Sequence, residues 1–203
     1  MLGQFWYLWV IFGLLVIVTA VVIVFAARAV SSHNAETKKQ LEELKRLKLL
    51  KDKYKGFDRK IIEEAEPFEV LEGACTVLQA RIERAEDAEA EFAGFNDAQK
   101  YVYTLYYFLE DVEKEGLSFF FKNNGAELCS VIGDALKAVD YRSAEPPVNK
   151  LWAMFDEKNE EAEMDLEQLD DTDSQFLSTF DKTAFLSKVK EYIAANADEL
   201  NRG

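Results

Sequence analysis

Between Phe5 and Ala27 the chain runs FWYLWVIFGLLVIVTAVVIVFAA without one charged side chain, and few folds are open to such a stretch. At about 1.5 Å of rise per residue a helix of this length reaches about 34 Å, enough to cross a bilayer core about 30 Å thick. Helical backbone satisfies its own polar groups, so Gly13 and Thr19 are tolerable inside it. Trp6, Tyr7 and Trp9 stand near one end, where an interfacial aromatic belt lies. The reading is a transmembrane helix over 5–27, with 1–4 as a short extracytoplasmic N-terminus. A cleaved signal peptide ending near Ala27-Arg28-Ala29 competes, but its apolar core is ordinarily about 7–15 residues long and follows a basic segment.

Charge sets the orientation. Residues 28–60 hold 11 Lys/Arg against 5 Asp/Glu, whereas 61–203 hold 13 against 33. Basic residues flank a span on its cytoplasmic side, and Arg28, Lys38, Lys39, Lys45 and Arg46 all follow this one. The expectation is a single-pass protein of the inner (plasma) membrane with its domain in the cytoplasm. Cys75 and Cys129, 54 positions apart, then read as reduced, buried, apolar side chains rather than a disulfide or zinc pair.

The basic segment 28–56 reads as an amphipathic helical stalk, with Leu41, Leu44, Leu47, Leu50 and Tyr54 three or four apart. Only about two heptads are present, short for a parallel coiled coil. The apolar face therefore folds onto the domain or lies against the membrane, with homodimerisation as the alternative. Lysines near an anionic leaflet each gain about 1 kcal/mol, while the acidic domain is repelled. Gly56 marks the break, which places the domain at 57–203.

That domain reads as helix throughout. Asn96 and Gln99 have the spacing of a reciprocal cap, and Val102, Leu105, Tyr106, Leu109 and Val112 continue at helical period. Pro67 opens another helix through Val70, Leu71, Ala74, Leu78 and Ile82, running on towards a stop at Gly94. A third apolar stripe joins Leu128, Val131, Ile132, Ala135, Leu136 and Val139. Pro146 and Pro147 precede a fourth with Leu151, Trp152 and Phe155. Phe180, Phe185, Val189, Tyr192 and Ile193 mark the last, capped by Asp181 or Thr183. No alternating pattern competes, so the class is all-α: a compact multi-helix domain behind one transmembrane helix and a basic stalk.

Little catalytic chemistry fits this inventory. Nucleophilic Ser or Cys sites need a base beside them, and the lone histidine, His33, lies next to the apolar run. A di-iron bundle needs Glu-x-x-His on two helices, and zinc needs N/S donors that two distant cysteines do not supply. GxxxxGK[ST] and GxGxxG are both missing, and a calcium loop at Asp171 and Asp173 would carry Phe176 where glycine is required. The expectation is a non-enzyme with no catalytic residues, metal or cofactor. A carboxylate-only metal hydrolase is the remaining enzymatic alternative, marked by inward carboxylates of raised pKa.

Across 107–141 the chain reads YFLEDVEKEGLSFFFKNNGAELCSVIGDALKAVDY. An acidic helix end, Gly116, the aromatic cluster Phe119, Phe120 and Phe121, then Asn123 and Gly125, and a helix bearing Ile132-Gly133 follow in order. In this combination the chain resembles the bacterial DNA mimic protein 19 family, a helical domain family, over residues about 60–200. Lys114-Glu115-Gly116 stands where that family tends towards Asn-Gly-Gly, and Ser118 where glutamine is usual. Read on physical grounds the motif is structural: Gly116 turns the chain, the three phenylalanines fill the core, and Asn123 with Gly125 ends a turn.

The resemblance implies a use for the acidity, since in a DNA mimic carboxylates stand in for phosphates on the basic surface of a DNA-binding protein. Residues 156–173 hold Asp156, Glu157, Glu160, Glu161, Glu163, Asp165, Glu167, Asp170, Asp171 and Asp173 against the single Lys158. As one helix they would span about 27 Å, about one charge per 2.7 Å against one per about 1.7 Å along duplex DNA. Glu83, Glu86, Asp87, Glu89 and Glu91 form a second stripe, diluted by Arg81 and Arg84. The bland alternative is a pair of solvated faces that keep the domain soluble. The leading expectation is a membrane-anchored interaction domain whose acidic face binds a basic protein, DNA mimicry being the specific version. An immunity or antitoxin-like role and a structural spacer are the alternatives. A formal charge of -14 argues against direct binding of nucleic acid.

Overall fold

The computed structural model describes residues 37–154 and 166–202, with backbone alone for 166–170. The anchor 5–27, His33 and Phe155 lie outside the described residues, and among these no helix is long and apolar enough to cross a membrane. All regular structure described is helical.

The chain divides after Lys48, and the compact domain begins at Leu49 rather than after Gly56. Helix α1 covers 37–54. Its last turns belong to the domain, where Leu50 and Tyr54 are buried. The reason is visible at Gly73, where a Cβ would collide with the Tyr54 ring: the ring fills the space that a glycine leaves. Of the remaining stalk leucines, Leu41 and Leu44 are exposed and Leu47 is half-buried.

Helix α2 (Arg59–Glu64) starts at Asp58, whose carboxylate accepts from the Lys60 N–H. Helix α3 (Pro67–Ile82) opens on proline, which lacks a donor where the helix would have left one unpaired. It does not run on to Gly94. After Ile82 the chain turns, and Asp87 opens α4 (Ala88–Ala93) by accepting from the Glu89 and Ala90 N–H groups. Gly94 then caps α4.

Helix α5 (Asp97–Glu115) is the central element, and α3, α6 and α8 all pack on it. Asn96 Oδ1 accepts from Gln99 N–H at 3.0 Å while Gln99 Oε1 accepts from Asn96 N–H at 3.1 Å, the predicted reciprocal cap. Both side chains also reach the C-terminus of the chain: Asn96 donates to Glu199 O and Gln99 to Leu200 O. The N-terminus of α5 is thus tied to the end of the chain.

Helices α6 (Leu117–Asn123), α7 (Ala126–Cys129) and α8 (Ile132–Ala138) follow. The third stripe is thus two short helices, bent at Ser130–Val131: Ile132, Ala135, Leu136 and Val139 of it are buried, Leu128 and Val131 are half-buried, and Cys129 is the buried residue of α7. After a 3-10 turn (Arg142–Ala144), α9 (Glu145–Met154) contains both prolines in its first turn rather than following them. Its buried face is Val148 and Leu151, and Trp152 points outward. Helix α10 (Leu166–Thr179) lies against α6. Asp181 caps α11 (Lys182–Ala195), leaving Phe180 before the helix, and α12 (Ala197–Leu200) closes the domain.

The core centres on Phe108, whose ring lies 5.5 Å from Phe120, 6.0 Å from Phe176 and Phe185, and 6.4 Å from Phe180. Side chains from α5, α6, α10 and α11 therefore meet at one point, and each fully buried ring contributes about 1.5–3 kcal/mol by leaving water. Tyr141 closes the cluster: its hydroxyl donates to Asp181 O and accepts from Asp181 N–H.

Candidate interaction surface

The motif residues form the corner between α5, α6 and α10. Gly116 is the only residue between α5 and α6, with φ 98° and ψ -179°, a conformation essentially reserved for glycine. A Cβ there would stand 3.1 Å from Cγ of Asp173 on α10. That carboxylate accepts from the Ser118 N–H at 2.7 Å and from the Ser118 hydroxyl. Glycine carries no side chain to cap α6, so a carboxylate from another helix satisfies one of its free N–H groups. Asp173, expected in the acidic face, is turned inward instead.

A second carboxylate holds the other end of α6. Asp111 is 1% exposed, on the same face of α5 as Phe108 and Val112. It accepts from Asn123 Nδ2 at 3.2 and 3.3 Å and from Asn124 Nδ2 at 2.7 Å, with Lys114 Nζ 3.9 Å away. Asn123 thus ends the turn by clamping it to α5. Phe120 and Phe121 are buried, whereas Phe119 is only half-buried and fills the core less than expected. Gly125 precedes α7, and at Gly133 a Cβ would meet Asn149 Oδ1 at 3.4 Å, a close approach of α8 to α9.

Both thiols are buried and free. Burial holds Cys75 well above the ordinary thiol range. Burial, joined by the Glu127 and Asp111 charges, pushes Cys129 up to about 12. Burial thus keeps both in the neutral thiol form at neutral pH.

Of the ten acids of 156–173, Asp156, Glu157, Glu160, Glu161, Glu163 and Asp165 lie outside the described residues. Glu167 and Asp170 stand on α10 with backbone alone described, and Asp171 is exposed. The described helix starts at Leu166, so it covers only the last part of the helix considered over 156–173. The second stripe is divided. Glu91 pairs with Arg81 at 2.9 Å, Asp87 caps α4 and Glu83 accepts from Gln79 Nε2 at 3.0 Å, while Glu86 and Glu89 stand in solvent. Among the described residues no group of three or more His, Cys, Asp or Glu side chains is arranged to hold a metal.

Sequence reasoning missed the inward carboxylates Asp111 and Asp173. For Asp111 a signal existed: it falls three residues after Phe108 and directly before Val112, within the apolar stripe, where an acid is buried against donors. For Asp173 no local pattern distinguished it from its acidic neighbours.

Fold and site together define an all-α scaffold whose motif residues shape the corner and whose surface carries an excess of carboxylates. A family model described as DMP19-like protein matches residues 93–197, just over half of the chain, and the chain belongs to that family. The matched segment opens at the end of α4 and contains the whole motif corner, while α2 and α3 precede it. Comparisons with curated proteins and with solved structures each gave no match.

Proposed function

We propose that this chain is a membrane-anchored, non-enzymatic interaction protein whose acidic helical surface binds a basic protein partner, with DNA mimicry as the specific form. The observation that carries the reading is the family match over 93–197. The charge balance supports it, because 61–203 carries 33 acidic against 13 basic residues. A rigid helical surface with that excess attracts cationic surfaces and speeds encounter with them. The apolar run 5–27 and its basic flank support anchoring at the inner membrane with the domain on the cytoplasmic side.

The test is a pull-down from bacterial lysate with the full chain in lipid nanodiscs, washed at low and high salt and challenged with duplex DNA. Recovery of a basic DNA-binding protein, lost at high salt and displaced by DNA, is the expected outcome. A partner that DNA leaves in place would remove mimicry, and recovery of nothing basic would remove the acidic surface as a binding site.

A further inference from the structure

Helix α1 carries two rows of side chains of different character. Leu47, Leu50 and Tyr54 recur three or four apart, the first half-buried and the other two buried. Leu41, Leu44, Lys48 and Lys51 recur at the same spacing, about 100° further round the helix axis. In this second row Leu41 is 51% exposed and Leu44 64%. Lys48 is exposed and Lys51 half-buried, and the exposed Lys45 flanks the row one turn after Leu41. Two leucines in solvent thus lead directly into a run of lysines.

Charge sets this segment apart from the rest of the chain. Residues 37–55 hold 8 Lys/Arg against 3 Asp/Glu, in a chain whose formal charge is -14. Ion pairs engage Lys38 with Glu42, Arg46 with Glu43 and Lys53 with Glu69. Among the described residues Lys45, Lys48 and Lys51 hold no ion pair, so the cations nearest the exposed leucines are unspent.

We infer that the Leu41–Lys51 row is a lipid-binding face that lies on an anionic leaflet, Leu41 and Leu44 entering the interface while Lys45, Lys48 and Lys51 reach lipid phosphates. This rests on the anchoring reading, which brings a leaflet within reach: residues 28–36 extend at most about 32 Å from the apolar run. An amphipathic helix binds an interface through apolar area and opposite charge together. Lysine stems lie along apolar surface while their ammonium groups stay with the phosphates, and each lysine near an anionic leaflet strengthens the attachment. A second copy of the row is a poorer occupant, because parallel pairing would set lysine against lysine beyond only two leucines. An acidic chain thereby presents its one cationic row to the membrane.

The test uses the full chain in nanodiscs of phosphatidylcholine alone or with about one third phosphatidylglycerol. Leu44→Cys carries an environment-sensitive fluorophore, and Glu42→Cys, on another face of α1, carries the same label as control. Nitroxide groups on the lipid acyl chains are expected to quench the label at 44 at least threefold more strongly in anionic discs than in neutral ones, and the label at 42 less than 1.5-fold. Adding Lys45→Gln and Lys48→Gln should bring the ratio at 44 below 1.5-fold, whereas Lys48→Arg should leave it above twofold. Far-ultraviolet circular dichroism confirms that each variant folds. Equal quenching in both lipids, or equal quenching at 42 and 44, overturns the lipid face and leaves anchoring standing. A blue-shifted label at 44 that lipid does not quench shows the row covered by protein and overturns it likewise. A chain that stays out of the discs overturns the lipid face and the anchoring reading together.

Discussion

Replacing Gly116 by alanine should destabilise the domain by about 3–5 kcal/mol, through two separable terms. The first is backbone strain: φ 98° with ψ -179° is a region that side chains avoid at a cost of about 1–3 kcal/mol. The second is the loss of the Asp173 clamp. The new Cβ would stand 3.1 Å from Asp173 Cγ and Oδ2, displacing a carboxylate that holds the Ser118 N–H and hydroxyl. Hydrogen bonds to a charged group contribute about 1.5–3 kcal/mol. For a domain of this size each kcal/mol lowers the melting temperature by about 2–4 °C, so Tm should fall by about 10 °C. Urea unfolding of 49–203 followed by circular dichroism measures the difference. A double-mutant cycle separates the terms: in an Asp173→Ala background, Gly116→Ala should cost only the strain, giving a coupling of about 1.5–3 kcal/mol. A single-mutant loss below about 1 kcal/mol, or a cycle additive within about 0.5 kcal/mol, would refute this account of the corner.

Asp111→Ala removes the buried carboxylate that holds the Asn123 and Asn124 amides and should cost about 1.5–3 kcal/mol by the same assay, against less than about 0.5 for the exposed Glu115→Ala. Gly73→Ala drives a methyl into the Tyr54 ring and should cost about 1–3 kcal/mol; a fragment starting at residue 57, which lacks that ring, should tolerate the substitution while being less stable than 49–203. The hydrogen bond from Lys53, followed by that from Tyr54, holds Glu69 below its ordinary 4.5. A depressed carboxyl contributes stability above its unfolded pKa and loses it as pH falls through the folded one, so Glu69→Gln should flatten the stability profile below about pH 4.5. Cys129, pushed up to about 12 by burial, should resist iodoacetamide at pH 8 in the native domain and react once urea unfolds it.

What was legible in the sequence was local. The Asn96–Gln99 cap, the Pro67 start and the last helix's cap each depend on residues within one helical turn; the first two stand as read, and of Asp181 and Thr183 it is Asp181 that caps. Errors came where a tertiary contact overrode periodicity. The charged run after Ile82 reads as continuing helix, but Asp87 opens a separate α4, whose Phe92 and Phe95 rings both contact Tyr103. The stripe from Leu128 bends at Ser130–Val131, which leaves Leu128 and Val131 half-buried and buries Cys129 instead, while Ile132, Ala135, Leu136 and Val139 stay in the core. Trp152 carries the apolarity of a core residue but stands one position past the buried Leu151 on α9. The site was less legible than the fold. The motif at 116–125 reads as structural from the sequence, yet of the two acids that hold it Asp173 comes from α10, 55 positions beyond Ser118 and among other acids, while Asp111 stands on α5 just before the motif.

That concealment bears on how an acidic domain is read for binding. A formal charge of -14 counts every carboxylate alike, but the structure sorts them by task. Asp111 and Asp173 are internal clamps, Asp58, Asp87 and Asp181 are helix caps, and Glu69, Glu91 and Asp198 pair with Lys53, Arg81 and Arg59. Charge already held by a donor or a cation offers a partner little, because the partner must displace an interaction of similar strength. Recognition is left to carboxylates in solvent, Glu86 and Glu89 among them, whereas the neighbouring Glu83 is already held by Gln79. Such a surface attracts a cationic partner through charge and releases it as salt rises. Increasing ionic strength should therefore release a partner bound through these carboxylates while the internal clamps and caps stay in place.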